Sequence, residues 1–166
     1  MKDVNRVPLL LDRLEELEKK SLEFGIFGED DSEVLMIARV NEFGVQIEVT
    51  ERMRGYLHSI GIHLRADTEH INIPERSFVR GYFDFNQRDI ITNAEKLLEN
   101  VILLKISVNT FYSTLGEYIV GKMKSYLTRL REPSNHPKTI EQKGSSNPLI
   151  DTGRLRDSIT YKVVKN

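Results

Sequence analysis

The chain has 166 residues and contains no cysteine. It can therefore form no disulfide, no thiolate metal site and no thiol nucleophile. The sequence also lacks an apolar run of about 18 residues, the length that a membrane-spanning helix needs. The N-terminus lacks the apolar region of a signal peptide. We therefore expect a protein that makes no membrane contact and is assembled in a cytosol.

Signatures of catalysis are missing as well. The sequence contains neither a Gly-rich phosphate loop nor a nucleophile elbow. Of its four histidines, His63 and His70 are seven residues apart across a presumed turn, without a paired ligand at metal spacing. We expect surface or hydrogen-bonding histidines, no cofactor and no enzymatic activity.

The tripeptide Asp151-Thr152-Gly153 matches the signature of aspartic proteases. That chemistry requires two carboxylates that share a proton, one from each half or subunit. Only thirteen residues follow Gly153, whereas the protease motif normally opens a β-rich lobe. Arg154 and Arg156 would also keep nearby carboxylates charged. We interpret Asp151 and Thr152 as N-cap residues of a short helical turn.

The charges are unevenly distributed along the chain. Residues 1–31 contain five Lys or Arg and nine Asp or Glu, whereas residues 120–166 contain ten and four. This asymmetry suits a head-to-tail contact between subunits and equally suits contact with nucleic acid. The alternative role for basic residues near a helix end is to balance its negative dipole. The lysines with a candidate DNA-facing role are Lys122, Lys124, Lys138 and Lys143.

Alternating apolar residues predict strands in four places. These places are near residues 21–27, 45–49, 69–73 and 158–164. In the last strand Ile159, Tyr161 and Val163 share one face, which we expect to be buried. This strand must pair with one formed earlier in the chain.

Apolar residues at helical spacing predict an amphipathic helix over residues 8–20. Ser32 is predicted to cap a second helix that ends at Gly44, and Thr50 to cap a short one around residues 53–59. Residues 75–85 are predicted to be irregular.

A long helical pattern covers residues 86–131, and either one helix or two fit it. We favour a break near residues 105–107, because Ser107 is a natural N-cap. Residues 132–147 are polar and rich in proline and serine, which predicts a long exposed loop.

The uneven distribution of helices and strands indicates an α+β fold rather than alternating βαβ units. We expect one domain over residues 1–166. In it a small antiparallel sheet of about four strands packs against a long helix or a broken helix pair, with shorter helices around them.

Three segments of the chain carry a resemblance to a known family. They are RVNEFG at 39–44, IPERSF at 73–78 and KGSSNPLIDTGRLRDSI at 143–159. Together they resemble the tail-completion (neck) proteins of tailed bacteriophages, also called virion-morphogenesis or minor tail protein Z-like proteins. The resemblance covers residues 20–164, within which residues 50–68 look like an insertion.

The resemblance implies a structural protein that forms a homo-oligomeric ring, commonly a hexamer. Such a ring lies in the virion neck between the head connector or stopper and the tail terminator, and DNA passes through its pore. The lysines named above would then face the DNA or the pore. Phe78 would be an anchor in a neighbour's pocket. The residues expected at the subunit interface are Phe43, Pro74, Arg76, Phe78, Asp151, Thr152, Arg154 and Arg156. The alternative is a morphogenesis factor outside the virion or a DNA-binding assembly protein.

Overall fold

The computed structural model describes residues 5–28 and 31–166. Within these residues the chain forms seven helices and four strands, which confirms the predicted α+β class. The helices are α1 (Val7–Glu18), α2 (Ser32–Phe43), α3 (Glu51–Ser59), α4 (Arg80–Ile102), α5 (Val108–Arg129), α6 (Pro137–Lys143) and α7 (Arg154–Asp157). The strands are β1 (Lys20–Gly25), β2 (Val45–Glu48), β3 (His70–Ile73) and β4 (Thr160–Lys165).

The four strands divide between two antiparallel pairs, where the sequence predicted one sheet. β1 pairs with β4, with Lys20 opposite Lys165 and Gly25 opposite Thr160. β2 pairs with β3. The C-terminal strand therefore closes onto the first strand of the chain. The strands form two sheets because β2 and β3, which flank α3 in the sequence, pair with each other.

The apolar face predicted for the last strand is only partly buried. Ile159 lies in the core and Tyr161 is half-buried, but Val163 is 41% exposed. Tyr161 packs against the core, with its ring against Gly116 of α5, whereas Val163 does not belong to that cluster.

The break between the two long helices is confirmed. α4 ends at Ile102, and α5 begins after Ser107, whose hydroxyl accepts a hydrogen bond from the Thr110 amide at 3.0 Å. α5 carries much of the buried apolar core and contacts α4, β1 and β4. Its buried apolar side chains include Val108, Phe111, Leu115, Ile119, Met123 and Leu127.

Several helix boundaries differ from the prediction. α2 is capped by Asp31, whose side chain accepts from the Val34 amide, so that Ser32 is already helical. α4 begins at Arg80 and takes in half of the region predicted to be irregular. The region predicted as an exposed loop contains α6. The predicted cap at Thr50 is confirmed.

Candidate functional site

The three segments that carry the family resemblance meet at one groove. The groove has a volume of about 910 Å³ and lies between α2, β3, α6 and the chain around α7. Segment 39–44 contributes Val40 and Asn41 to its lining, and segment 73–78 contributes Ile73, Pro74 and Arg76. Segment 143–159 contributes Lys143, Pro148, Leu149 and the stretch from Asp151 to Leu155. Residues far apart in the sequence thus form one surface.

Arg76 joins the base of the groove to the chain that follows α5. Its side chain is buried, with 5% of the residue exposed. The Nε atom donates to the Pro133 carbonyl at 2.6 Å, and Nη2 donates to the Ser134 carbonyl at 3.2 Å and to Asn135 Oδ1 at 3.0 Å. Burial lowers the pKa of this guanidinium. These acceptors and Asn41 Oδ1 are all neutral, so the charge of Arg76 is not cancelled by these contacts.

Glu42, near the C-terminal end of α2, binds the backbone amides at the N-terminus of α4 and holds the start of that helix in place. Its carboxylate accepts hydrogen bonds from the Phe78 and Val79 amides at 2.8 and 2.9 Å. It also accepts from the Arg80 amide at 3.0 Å and the Ser77 hydroxyl at 2.7 Å. Amides at a helix N-terminus have no partner within the helix, and a carboxylate satisfies them and the helix dipole together. The sequence reasoning did not identify this role of Glu42.

Lys143 places a second positive charge in the groove. Its Nζ donates to the carbonyls of Asn147 and Pro148, both at 3.2 Å. Burial lowers the pKa of Lys143; the charge of Asp151 raises it and that of Arg76 lowers it. The groove therefore combines Arg76, Lys143 and the nearby carboxylate Asp151 with apolar side chains of α2 and β3.

Arg154 makes ion pairs within its own chain and leaves 54% of its side chain exposed, so its place at a subunit interface stays a prediction. Its guanidinium lies 2.7 Å from Asp31 and 3.2 Å from Glu33, at the start of α2. Arg156 is likewise paired with the adjacent Asp157 at 2.8 Å. The basic C-terminal region and the acidic N-terminal region therefore meet inside one subunit.

Phe78 is completely buried in the core, so it cannot be an anchor in a neighbouring subunit. This prediction is wrong because the Glu42 contacts hold the Phe78 backbone next to α2 and turn its side chain inward. Phe43 and Pro74 are exposed. The Arg80 guanidinium lies 4.5 Å from the centre of the Phe43 ring.

Asp151 and Thr152 are exposed on the rim of the groove. Neither is the N-cap of α7, because that position belongs to Gly153, whose φ of 89° suits glycine. Thr152 Oγ1 accepts from the Arg154 amide at 3.4 Å. The predicted capping role of Asp151 is therefore wrong.

The four candidate DNA-facing lysines lie on two different helices. Lys122 lies 5.4 Å from the centre of the Tyr118 ring, and Lys124 Nζ donates to the Asp157 carbonyl at 3.4 Å, both from α5. Lys138 pairs with Glu141 on α6 at 2.9 Å, and Lys143 lies in the groove. The predicted contact with DNA stays a prediction.

Two histidines meet outside the groove. The Nδ1 atoms of His58 and His63 are 2.8 Å apart at the end of α3. Among the residues that the structure describes, no group of three or more His, Asp or Glu side chains is arranged to hold a metal ion.

The outer face of α1 is a second unusual surface. Val7, Leu11 and Leu14 are exposed and recur at helical spacing. Glu18 continues this row and is also exposed. Leu17, about 60° around the helix from Leu14 at about 100° per residue, packs against the core. The sequence predicted an amphipathic helix, but only the structure shows that an apolar row also lies on its outer face.

No family model, curated protein or solved structure matches the chain. The family named above therefore stays a prediction. None of the described helices is both long and apolar enough to cross a membrane.

Proposed function

We propose that the chain is a structural subunit of the neck of a tailed phage or a phage-derived particle, where it forms a ring between the head connector and the tail. The observation that carries this proposal is the meeting of all three resembling segments at one groove. Because these segments come from separate parts of the chain, their meeting indicates that they serve one surface. The ring, commonly of six copies, would pass DNA through its pore.

The chemistry of the groove supports a role in holding partners. Arg76 and Lys143 donate to backbone carbonyls of the chain on either side of α6, and apolar side chains form the opposite wall. An apolar area with a few fixed polar groups is typical of protein interfaces. A second apolar surface, on α1, provides the different face that a closed ring needs.

The alternative function is that of an assembly factor that contacts DNA without staying in the particle. One observation favours it. Lys124, Arg129 and Arg156 surround an open depression of about 490 Å³ beside the end of α5. Such a cluster of cations can bind phosphate groups in a salt-dependent manner.

Purified particles distinguish the two functions. Quantitative mass spectrometry of particles that assemble with this protein should find it at a small fixed copy number, near six for each connector. The control is a known non-structural protein of the same lysate, which should be removed by purification. If the chain is removed with that control, it is an assembly factor and not a neck subunit.

A further inference from the structure

We propose that the groove binds the outward face of α1 from a second copy of this chain. This inference rests on the proposed function, since it names the two surfaces through which the ring would close. The groove is built from α2, β3, α6 and the chain around α7, whereas α1 contacts β1, α4 and α5. The two surfaces therefore belong to different elements, and each subunit can use both at once, as a head-to-tail ring requires.

The apolar parts of the two surfaces match in kind. Ile37 and Val40 of α2 and Ile71 and Ile73 of β3 form the apolar wall of the groove. The occupant would present Val7, Leu11 and Leu14. An amphipathic helix commonly binds a groove through residues at this spacing. α1 remains attached to its own subunit through Leu17, so it would dock as a rigid helix.

The charges also match. Glu18 continues the apolar row of α1, and no ion pair among the described residues includes it. In the groove, the side chains of Arg76 and Lys143 donate hydrogen bonds to neutral acceptors. Two carboxylates line the groove: Glu33 is already paired with Arg154, and the charge of Asp151 acts on Lys143. Arg76 and Lys143 thus carry two positive charges against the single negative charge of Asp151. An incoming carboxylate at the end of an apolar row would therefore meet a net positive charge, which favours an acidic helix over a basic one.

The absence of cysteine allows a direct test by disulfide cross-linking. Leu11→Cys places one thiol on the outer face of α1, and Ile37→Cys places one in the groove of another copy. Mixing the two single variants under mild oxidation should give a cross-linked dimer at least tenfold faster than mixing Leu11→Cys with Thr92→Cys. Thr92 is exposed on α4, outside the groove, and serves as the matched control. Circular dichroism checks that each variant is folded.

A charge exchange gives a second readout that does not depend on thiol chemistry. Glu18→Lys should weaken self-association about tenfold by sedimentation, and adding Lys143→Glu to the same chain should restore it. If Glu18→Lys leaves association unchanged, or if the double variant is no better than the single one, the inference is overturned.

The outcomes separate this inference from the proposed function. If the protein forms rings but Leu11→Cys does not cross-link preferentially to Ile37→Cys, the inference fails and the neck function stands. A chain that stays monomeric at millimolar concentration also overturns the inference. Its copy number in purified particles decides the neck function independently.

Discussion

The ring of Tyr161 on β4 lies directly against Gly116 on α5. A Cβ atom added at Gly116 would lie 2.4 Å from Tyr161 Cδ2, closer than carbon atoms approach. α5 and the C-terminal strand are therefore in contact because position 116 has no side chain. This contact fixes the β1–β4 sheet on the central helix.

Gly116→Ala should consequently destabilise the protein, although alanine favours helices. The added methyl group must displace Tyr161, and overpacking of this kind costs about 1–3 kcal/mol. The matched control is Gly121→Ala in the same helix, where the added Cβ would meet no described residue outside its own stretch of helix within 4 Å. That variant should be more stable by about 0.5–1 kcal/mol. Urea unfolding measures both; equal effects would show that the Tyr161 contact is absent.

Two buried tyrosines should respond in opposite ways to loss of the hydroxyl. The Tyr82 hydroxyl is buried without a hydrogen-bond partner among the described residues, and burial raises its pKa to about 12. Tyr82→Phe should therefore raise the melting temperature, with a gain of about 1 kcal/mol. The Tyr112 hydroxyl lies 2.8 Å from the Lys20 carbonyl. Tyr112→Phe should cost about 0.5–1.5 kcal/mol, and a gain there would contradict this account.

Glu42 should make stability depend on acid pH. Burial raises the pKa of its carboxyl, but hydrogen bonds from the Val79, Arg80 and Phe78 amides and from Ser77 outweigh burial and hold the pKa below its usual 4.5. A pKa that is lower in the folded state gives stability that is present above about pH 4.5 and lost as the pH falls through the folded value.

Glu42→Gln should thus cost about 1–3 kcal/mol at pH 7, because the α4 amides lose charged acceptors. The difference from the wild type should shrink as the pH is lowered to 3, as measured by urea unfolding at each pH. Glu75→Gln, at an exposed carboxylate paired with Arg80, is the control and should change stability by less than about 1 kcal/mol. A Glu42→Gln cost that does not change with pH would contradict this role.

Arg76 should hold the segment after α5 in place. Arg76→Met keeps much of the side-chain volume but leaves the Pro133 and Ser134 carbonyls without their donor. We expect faster proteolysis within residues 132–147 and a stability loss of about 1–3 kcal/mol. The control Arg65→Met changes an arginine that is largely exposed. If both variants are cleaved at the wild-type rate, Arg76 does not anchor this segment.

The sequence predicted the regular elements well because their signals are local. The cap at Ser107 and the strand predicted near residues 21–27 each depend on a few neighbouring residues. The structure has both, with β1 over Lys20–Gly25. The roles of Glu42 and Arg154 depend on contacts across 36 and 123 residues, for which a single sequence carries no signal.

The α1 surface and the groove could likewise be predicted only in part from the sequence. Helical spacing identified α1 as amphipathic, but not that a second apolar row faces outward. The three resembling segments could be recognised as sequence motifs. Their meeting at one groove, however, depends on how α2, β3 and α6 pack.

The location of the protein in an assembled particle tests the central claim most directly. A small rigid tag fused after Asn166 can be located in two-dimensional class averages of particle necks, with untagged particles as the control. We expect extra density arranged as a ring of about six points between the head and the tail. Tagged particles whose necks are identical to those of the control, or tag density spread along the tail, would contradict the claim that this chain forms the neck ring.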